Sequence, residues 1–300
     1  MLARRRPFLW GLVGTVLMFA TFFLLTLALT MLLTGKAGVA DSAMKIAIVP
    51  IEGVISSDLA EHAVRQLTKY ADDPSIKAIV IRIDSPGGGV AASQEIYEGV
   101  KRLRADGKLV VASLGSLAAS GGYYVACAAD RIFTNPGTLT GSIGVIVQLA
   151  NAQGFLRKVG IESTAITSGP FKDSGSPARP LRPEEREVFQ TLVDDVYRQF
   201  VDAVAQGRHL EPVEVRRYAD GRVYTGQQAK AFKLVDDLGT LQDAIAYAAS
   251  TIGVAGKPKL VQEGRERLWW LKFVLESVRG YATFKPFSVA DSVLQYRWPY

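Results

Sequence analysis

"KAIVIRIDSPGGGVAAS", residues 77–93, carries in seventeen residues the unit from which the fold can be built. An Ile- and Val-rich run ends at three glycines, and small residues then open a helical pattern, so the segment reads as strand, turn and helix. "KIAIVPI" (45–51) and "KLVVASL" (108–114) are similar runs, apolar at successive positions as in strands buried on both faces. Between the three lie "SSDLAEHAVRQLTKYADD" (56–73), with Leu59, Ala63, Leu67 and Tyr70 on one face, and "VAASQEIYEGVKRLRADG" (90–107), with Ile96, Val100 and Leu103. Those spacings predict helices. Alternating strands and helices imply right-handed crossovers and a mostly parallel sheet, an α/β fold. Further short strands are expected at "DRIFT" (130–134), "GVIVQL" (144–149) and "ESTAIT" (162–167). A polar, Pro- and Gly-rich stretch precedes a long helix from about 182 to 207 and helical segments to about 250. There is no internal repeat.

Open α/β sheets bind ligands beyond the carboxyl ends of their strands, which directs attention to two turns. The glycines at 87–89 fit neither the dinucleotide spacing nor a phosphate-binding loop ending in Lys-Ser or Lys-Thr. Their amides suit an oxyanion hole, and equally a tight turn that needs no Cβ. The second turn follows 108–114, in "LGSLAASGGYYVACAAD" (114–130), where Ser120 stands as a nucleophile or as a helix N-cap. Two successive strand-to-helix turns, one offering glycine amides and one a serine, can surround a single carbonyl. Cys127, the single cysteine, reads as a small buried hydrophobe.

A nucleophilic serine needs a proton acceptor, and the chain has two histidines. His62 lies on an amphipathic helix and His209 at the end of the long helix, away from strand ends, so no Ser-His-Asp order is legible. Lys172, in "SGPFKDSGSPARP" (168–180), stands in an irregular stretch and is either an ordinary exposed lysine or a base held neutral by its surroundings.

Three hundred residues, 48% of them hydrophobic, suffice for a sizeable core, and the net charge is +6. Arg4, Arg5 and Arg6 account for half of that charge, and residues 256–285 carry seven Lys or Arg against three Glu. The remainder is slightly acidic, so no basic groove for nucleic acid is implied. Both basic patches adjoin apolar segments, as attraction to anionic lipid requires; the second is also compatible with solvated surface. Residues 7–34 hold no charge, long enough for a helix to span a bilayer with tilt. A retained anchor is expected, although "AGVAD" (37–41) would also suit a signal peptidase. The charge bias puts the N-terminus in the cytoplasm and the rest outside, as a single-pass cell-membrane protein. "RERLWWLKFVLESVRGYATFKPF" (265–287) has the composition of an interfacial helix, or of one packed on the main domain.

"DSPGGGV" (84–90), "AASGGYYVACAADRI" (118–132), "TGSIGV" (140–145) and "SGPFKDSGSPARPLRPEE" (168–185), in this order, resemble the signal peptide peptidase A family in its short, single-domain form. The resemblance runs from about residue 45 to 250. It implies a crotonase/ClpP-like fold of repeated β-β-α and βαβ units, preceded by one transmembrane helix, and a Ser-Lys endopeptidase needing neither cofactor nor metal. Position by position, it implies Ser120 as nucleophile, Lys172 as general base and Ser142 as the residue that orients the lysine. Gly87 or Gly88, with Gly121, would form the oxyanion hole. The implied substrates are cleaved signal peptides and other apolar peptides at the bilayer, and the implied assembly is a ring-like homo-oligomer whose serine and lysine come from neighbouring subunits. The expected organisation is a cytoplasmic basic end and anchor at 1–36, a linker at 37–44, a protease domain at 45–255 and a basic amphipathic tail at 256–300. The tail matches no family motif. A crotonase-like acyl-CoA enzyme and a catalytically silent membrane scaffold are the alternatives.

Overall fold

The computed structural model describes residues 14–15, 17–26 and 44–263 and the backbone of 295–297. The chain divides into two units, 1–43 and 44–300. In the first, residues 14–15 and 17–26 are helical. No helix among the described residues is long and apolar enough to cross a membrane; most of the expected anchor, and the expected interfacial helix at 265–287, lie outside them.

The second unit is built on a sheet of eight strands. β1 (Lys45–Glu52) runs parallel to β2 (Ile76–Ser85), and β2 to β4 (Leu109–Ala119). One edge of β4 serves two parallel partners, β5 (Arg131–Thr134) along Val111–Leu114 and β6 (Leu139–Gly141) along Leu117–Ala119. β8 (Asp237–Leu238) extends β5 in parallel, and β7 (Val223–Thr225) closes β6 as the antiparallel member. β9 (Lys259–Gln262) lies parallel to β1 on its outer side, so residues expected in the tail complete the sheet. A separate antiparallel pair joins β3 (Gly87–Gly89) to β10 (Gln295–Arg297).

Both faces of the sheet are covered, which is why its strands are apolar at successive positions. Ala47, Val49 and Ile51 pack in one core cluster with Leu67 of α1 (Ser57–Asp72) and with Ile96 and Val100 of α2 (Val90–Ala105). Ile46, Ile48 and Val80 pack on the other side with Ala244, Ile245 and Ala248 of α8 (Leu241–Thr251). Each such Ile or Leu contributes about 1.5–3 kcal/mol of burial free energy. Shorter helices α3 (Gly121–Ala126), α4 (Gln153–Lys158), α6 (Pro212–Val215) and α7 (Gly226–Ala231) flank the long α5 (Pro183–Arg208).

Local chemistry sets the helix ends. The Ser56 hydroxyl accepts from the Leu59 amide at 3.3 Å and starts α1. Pro183 opens α5, where the Glu185 carboxylate accepts from the Arg182 amide at 3.0 Å, and His209 ends that helix in a left-handed conformation, φ 54°.

The strand expected at "DRIFT" is β5, whereas "GVIVQL" and "ESTAIT" form none. Residues 162–167 are exposed throughout, Ile166 at 99%, and the free edge of β6 is already taken by β7. A run of strand-like composition that no neighbouring strand pairs with stays irregular. Gly207 of α5 packs against the backbone of Cys127; a Cβ there would overlap the Cys127 carbonyl. Gly207→Ala is therefore expected to destabilise the unit by about 2 kcal/mol, read as a lower denaturation midpoint with unchanged slope.

Candidate active site

The register of β4 against β6 pairs Ala119 with Gly141, so the next residue on each strand, Ser120 and Ser142, emerges at the same sheet end. The Ser120 amide donates to the Gly141 carbonyl at 2.8 Å, and the Ser142 amide to the Arg222 carbonyl at 2.9 Å. Both serines have positive φ, 54° and 50°, and both are buried. A residue with a Cβ held there costs about 1–3 kcal/mol, tolerated where the surroundings over-determine it. Ser120 departs from the helix-cap reading on two counts: its φ/ψ of 54°/−119° is not extended, and its hydroxyl makes no cap hydrogen bond to α3.

The glycine strand lies against the same turn. A Cβ on Gly121 would stand 3.3 Å from Gly87 Cα and Gly88 N and 2.5 Å from Ser93 Oγ, so only glycine permits this approach. The two candidate oxyanion glycines differ. The Gly87 amide donates to Ser85 Oγ at 3.0 Å, and the Gly87 carbonyl and Gly89 amide bond to Ile55 at 2.8 Å each. Gly88, between them, turns its amide to the opposite side, along which β10 pairs.

Several supports were not legible as functional. β4 is irregular between Leu114 and Ala118, and the Asp84 carboxylate fills that break by accepting from the Leu117 amide at 3.1 Å. Thr138 and Thr140 donate to the Gly115 and Ala118 carbonyls at 2.6 and 2.7 Å. Asp84 opens the quoted "DSPGGGV", but nothing in one strand shows that its partner will break opposite it. The antiparallel docking of β10 on Gly87–Gly89 has no sequence signal at all.

Lys172 is exposed, and its ammonium makes no hydrogen bond or ion pair with a described residue, including either serine. An open cavity of about 350 Å³ adjoins Ser142, walled by Val145, Ile146, Val193 and Tyr197 together with the carboxylates Asp194 and Asp220. His62 is exposed and accepts from Gln66 Nε2 at 2.8 Å, while exposed His209 serves as the helix cap. Neither touches the serines. Burial pushes the Cys127 thiol up to about 12, which leaves it un-ionised and inert.

The lysine-bearing stretch is tied to α5 by charge. Arg179 holds Asp173 with two bonds of 2.8 Å, and reaches both Glu185 oxygens at 2.9 and 2.5 Å. Arg182 adds a bond of 2.5 Å to Glu185 and Ser174 Oγ one of 3.2 Å. The Glu185 side chain is fully enclosed. Arg179 holds both carboxyls below their usual range, Glu185 far below it.

A family model described as "Peptidase family S49" matches residues 102–255, and one described as "NfeD1b, N-terminal domain" matches residues 45–158. A protein of Synechocystis sp. named "Putative protease slr0021" is 47% identical over 210 residues, covering 70% of this chain and 75% of the relative. Protease 4 of Salmonella typhi is 41% identical over 177 residues, 59% of this chain and 28% of that one. Serine protease SPPA, chloroplastic, of Arabidopsis thaliana is 38% identical over 200 residues, 66% of this chain and 29% of that one. Among solved structures, a mutant of ClpP1 from Listeria monocytogenes superposes with a TM-score of 0.46 at 20% identity, covering 66% of this chain and 93% of the other.

The depressed carboxyls carry a pH signature. A carboxyl lowered on folding stabilises fully above its unfolded value, about 4, and that contribution is lost as pH falls towards the folded one. Glu185→Gln is expected to melt below wild type at pH 7, with the gap narrowing as pH falls below about 4. Melting curves from pH 7 to 2 check this.

Proposed function

The chain belongs to peptidase family S49, a serine protease family, and on that premise we propose that it hydrolyses peptides through a Ser120–Lys172 dyad. The observation that carries the reading is the backbone of Ser120: φ 54° at the end of β4, no capping bond, and glycine strand and Ser142 turn on either side. A serine serving only as a helix cap has no need of that conformation. Ser120 Oγ attacks the scissile carbonyl while neutral Lys172 takes its proton. The Gly88 and Gly121 amides receive the developing oxyanion, a stabilisation of about 3 kcal/mol per donor in such sites. Lys172 then protonates the leaving amine and activates water for deacylation, with the Ser142 hydroxyl aiming the amine. An extended peptide would pair along Gly87–Gly89, on the edge that β10 takes here.

The lysine comes from a neighbouring copy of the chain, in a closed ring. Supporting this are the exposure of Lys172, the open cavity beside Ser142 and the exposed Phe155, Val159, Ile161, Ile166 and Phe171 on the stretch leading to the lysine. Such apolar surface marks an interface. The substrates are remnants of signal peptides and other apolar peptides, met at the membrane by a domain anchored through residues 7–34 on the extracytoplasmic side. Supporting the anchor is the length of that uncharged run.

Ser120→Ala and Lys172→Ala are each expected to abolish peptide hydrolysis, and replacing both His62 and His209 to leave it largely intact. A fluorophosphonate probe should label Ser120. A folded protein that ignores the probe, or a folded double-histidine variant without activity, would refute the dyad.

Mixing Ser120→Ala with Lys172→Ala under conditions of subunit exchange is expected to restore roughly a quarter of wild-type activity, since that fraction of contacts joins an intact serine to an intact lysine. No recovery despite demonstrated exchange would put both residues of the dyad in one chain.

A further inference from the structure

Turn hydrogen bonds shape the loop around Lys172: its amide donates to Gly169 O at 3.2 Å, Ser174 N to Phe171 O at 3.2 Å, and Ser176 N to Asp173 O at 3.1 Å. The charge network does more. Arg182 donates to the Pro170 carbonyl, Arg179 grips Asp173, Ser174 reaches Glu185, and both guanidinium groups meet at Glu185. Residues 170, 173 and 174, on both sides of Lys172, are thereby fastened to one enclosed carboxylate. The Lys172 ammonium stands outside the network, beside a carboxylate in sequence and without a bond to it. Charged groups around the loop include Asp173 and Arg179 on it, Arg182 at the helix cap, and Glu184, Glu185 and Arg186 from α5, Arg186 lining a cavity together with Arg179; in the cavity beside Ser142 the lysine would also face Asp194 and Asp220.

We infer that Arg179 is a positioning residue for the base, acting through Asp173: its fork keeps both oxygens of the Asp173 carboxylate engaged, so that they do not pair with the neighbouring Lys172 amine. This rests on the Ser–Lys reading above. A carboxylate free to pair with the neighbouring ammonium would stabilise the charged lysine and raise its pKa, removing the neutral amine that the first step needs. Two parallel bonds from one planar guanidinium to Asp173, with the same group also bonded to Glu185, are a geometry that lysine cannot reproduce.

The test is the pH dependence of kcat/KM for a fluorogenic peptide, using the full chain, whose rising limb reports loss of the proton from the base. Arg179→Gln is expected to move that limb up by about one pH unit, a tenfold loss on the limb, with little change in KM. Adding Asp173→Asn should return the limb to its wild-type position, and Asp173→Asn alone should leave it there. A merely structural role would lower kcat in both Arg179 variants with the limb fixed. A limb that stays in place in folded Arg179→Gln, or one that fails to return in the double variant, overturns the proposal. If Arg179→Gln does not fold, Arg179→Lys keeps a cation beside Glu185 while giving up the fork; a smaller upward shift, again reversed by Asp173→Asn, is expected, and a fixed limb is again contrary. Lys172→Ala separates the two readings. Wild-type activity in that variant removes the dyad itself, whereas its inactivity together with fixed limbs in the Arg179 variants removes only this proposal.

Discussion

The hydrogen bond from the Ser120 amide to the Gly141 carbonyl, 2.8 Å long, is the rung on which the candidate site depends. It ends the short parallel ladder of β4 and β6, and it fixes which residues leave the sheet together. A slip of one residue would point each serine to the other face of its strand. The register is held from several sides: Thr140 bonds the Ala118 carbonyl, Thr138 the Gly115 carbonyl, and Asp84 bridges the break in β4 that lets the strand change partners from β5 to β6.

That break explains why β4 is long enough to reach the site. Its first half continues the parallel core, and its second half carries Ser120 past the end of β5 to meet the glycine strand. The close approach to Gly87 and Gly88 then demands glycine at 121, a Cβ on Gly88 would overlap the Ile55 backbone, and Ser120 holds its strained φ while fully buried. Strain, glycine and enclosure are three aspects of one packing solution.

The stretch around Lys172 is organised by different physics. Where the serine is held by backbone ladders and apolar packing, Lys172 is held by an ion network anchored on enclosed Glu185. Removing one partner of such a network leaves a buried charge less compensated, so its members reinforce one another.

Several features were determined by the sequence itself: the three core strands, the helices between them, the long α5, and the pairing of a glycine turn with a serine turn. Each follows from a repeat of 2 or 3.6 residues or from the conformational freedom of glycine, which are properties of short stretches. "GVIVQL" and "ESTAIT" misled for the same reason: their composition suits a strand, but a strand exists only where another edge accepts its bonds. Only long-range packing sets Ser142 beside Ser120, occupies the Gly87 amide while that of Gly88 faces away, returns the tail to the sheet through β9 and to the glycine strand through β10, and joins Asp173 to Glu185 through Arg179. These are pairings between segments distant along the chain, or choices among equivalent donors, and they are made by register and close packing, which no local pattern encodes.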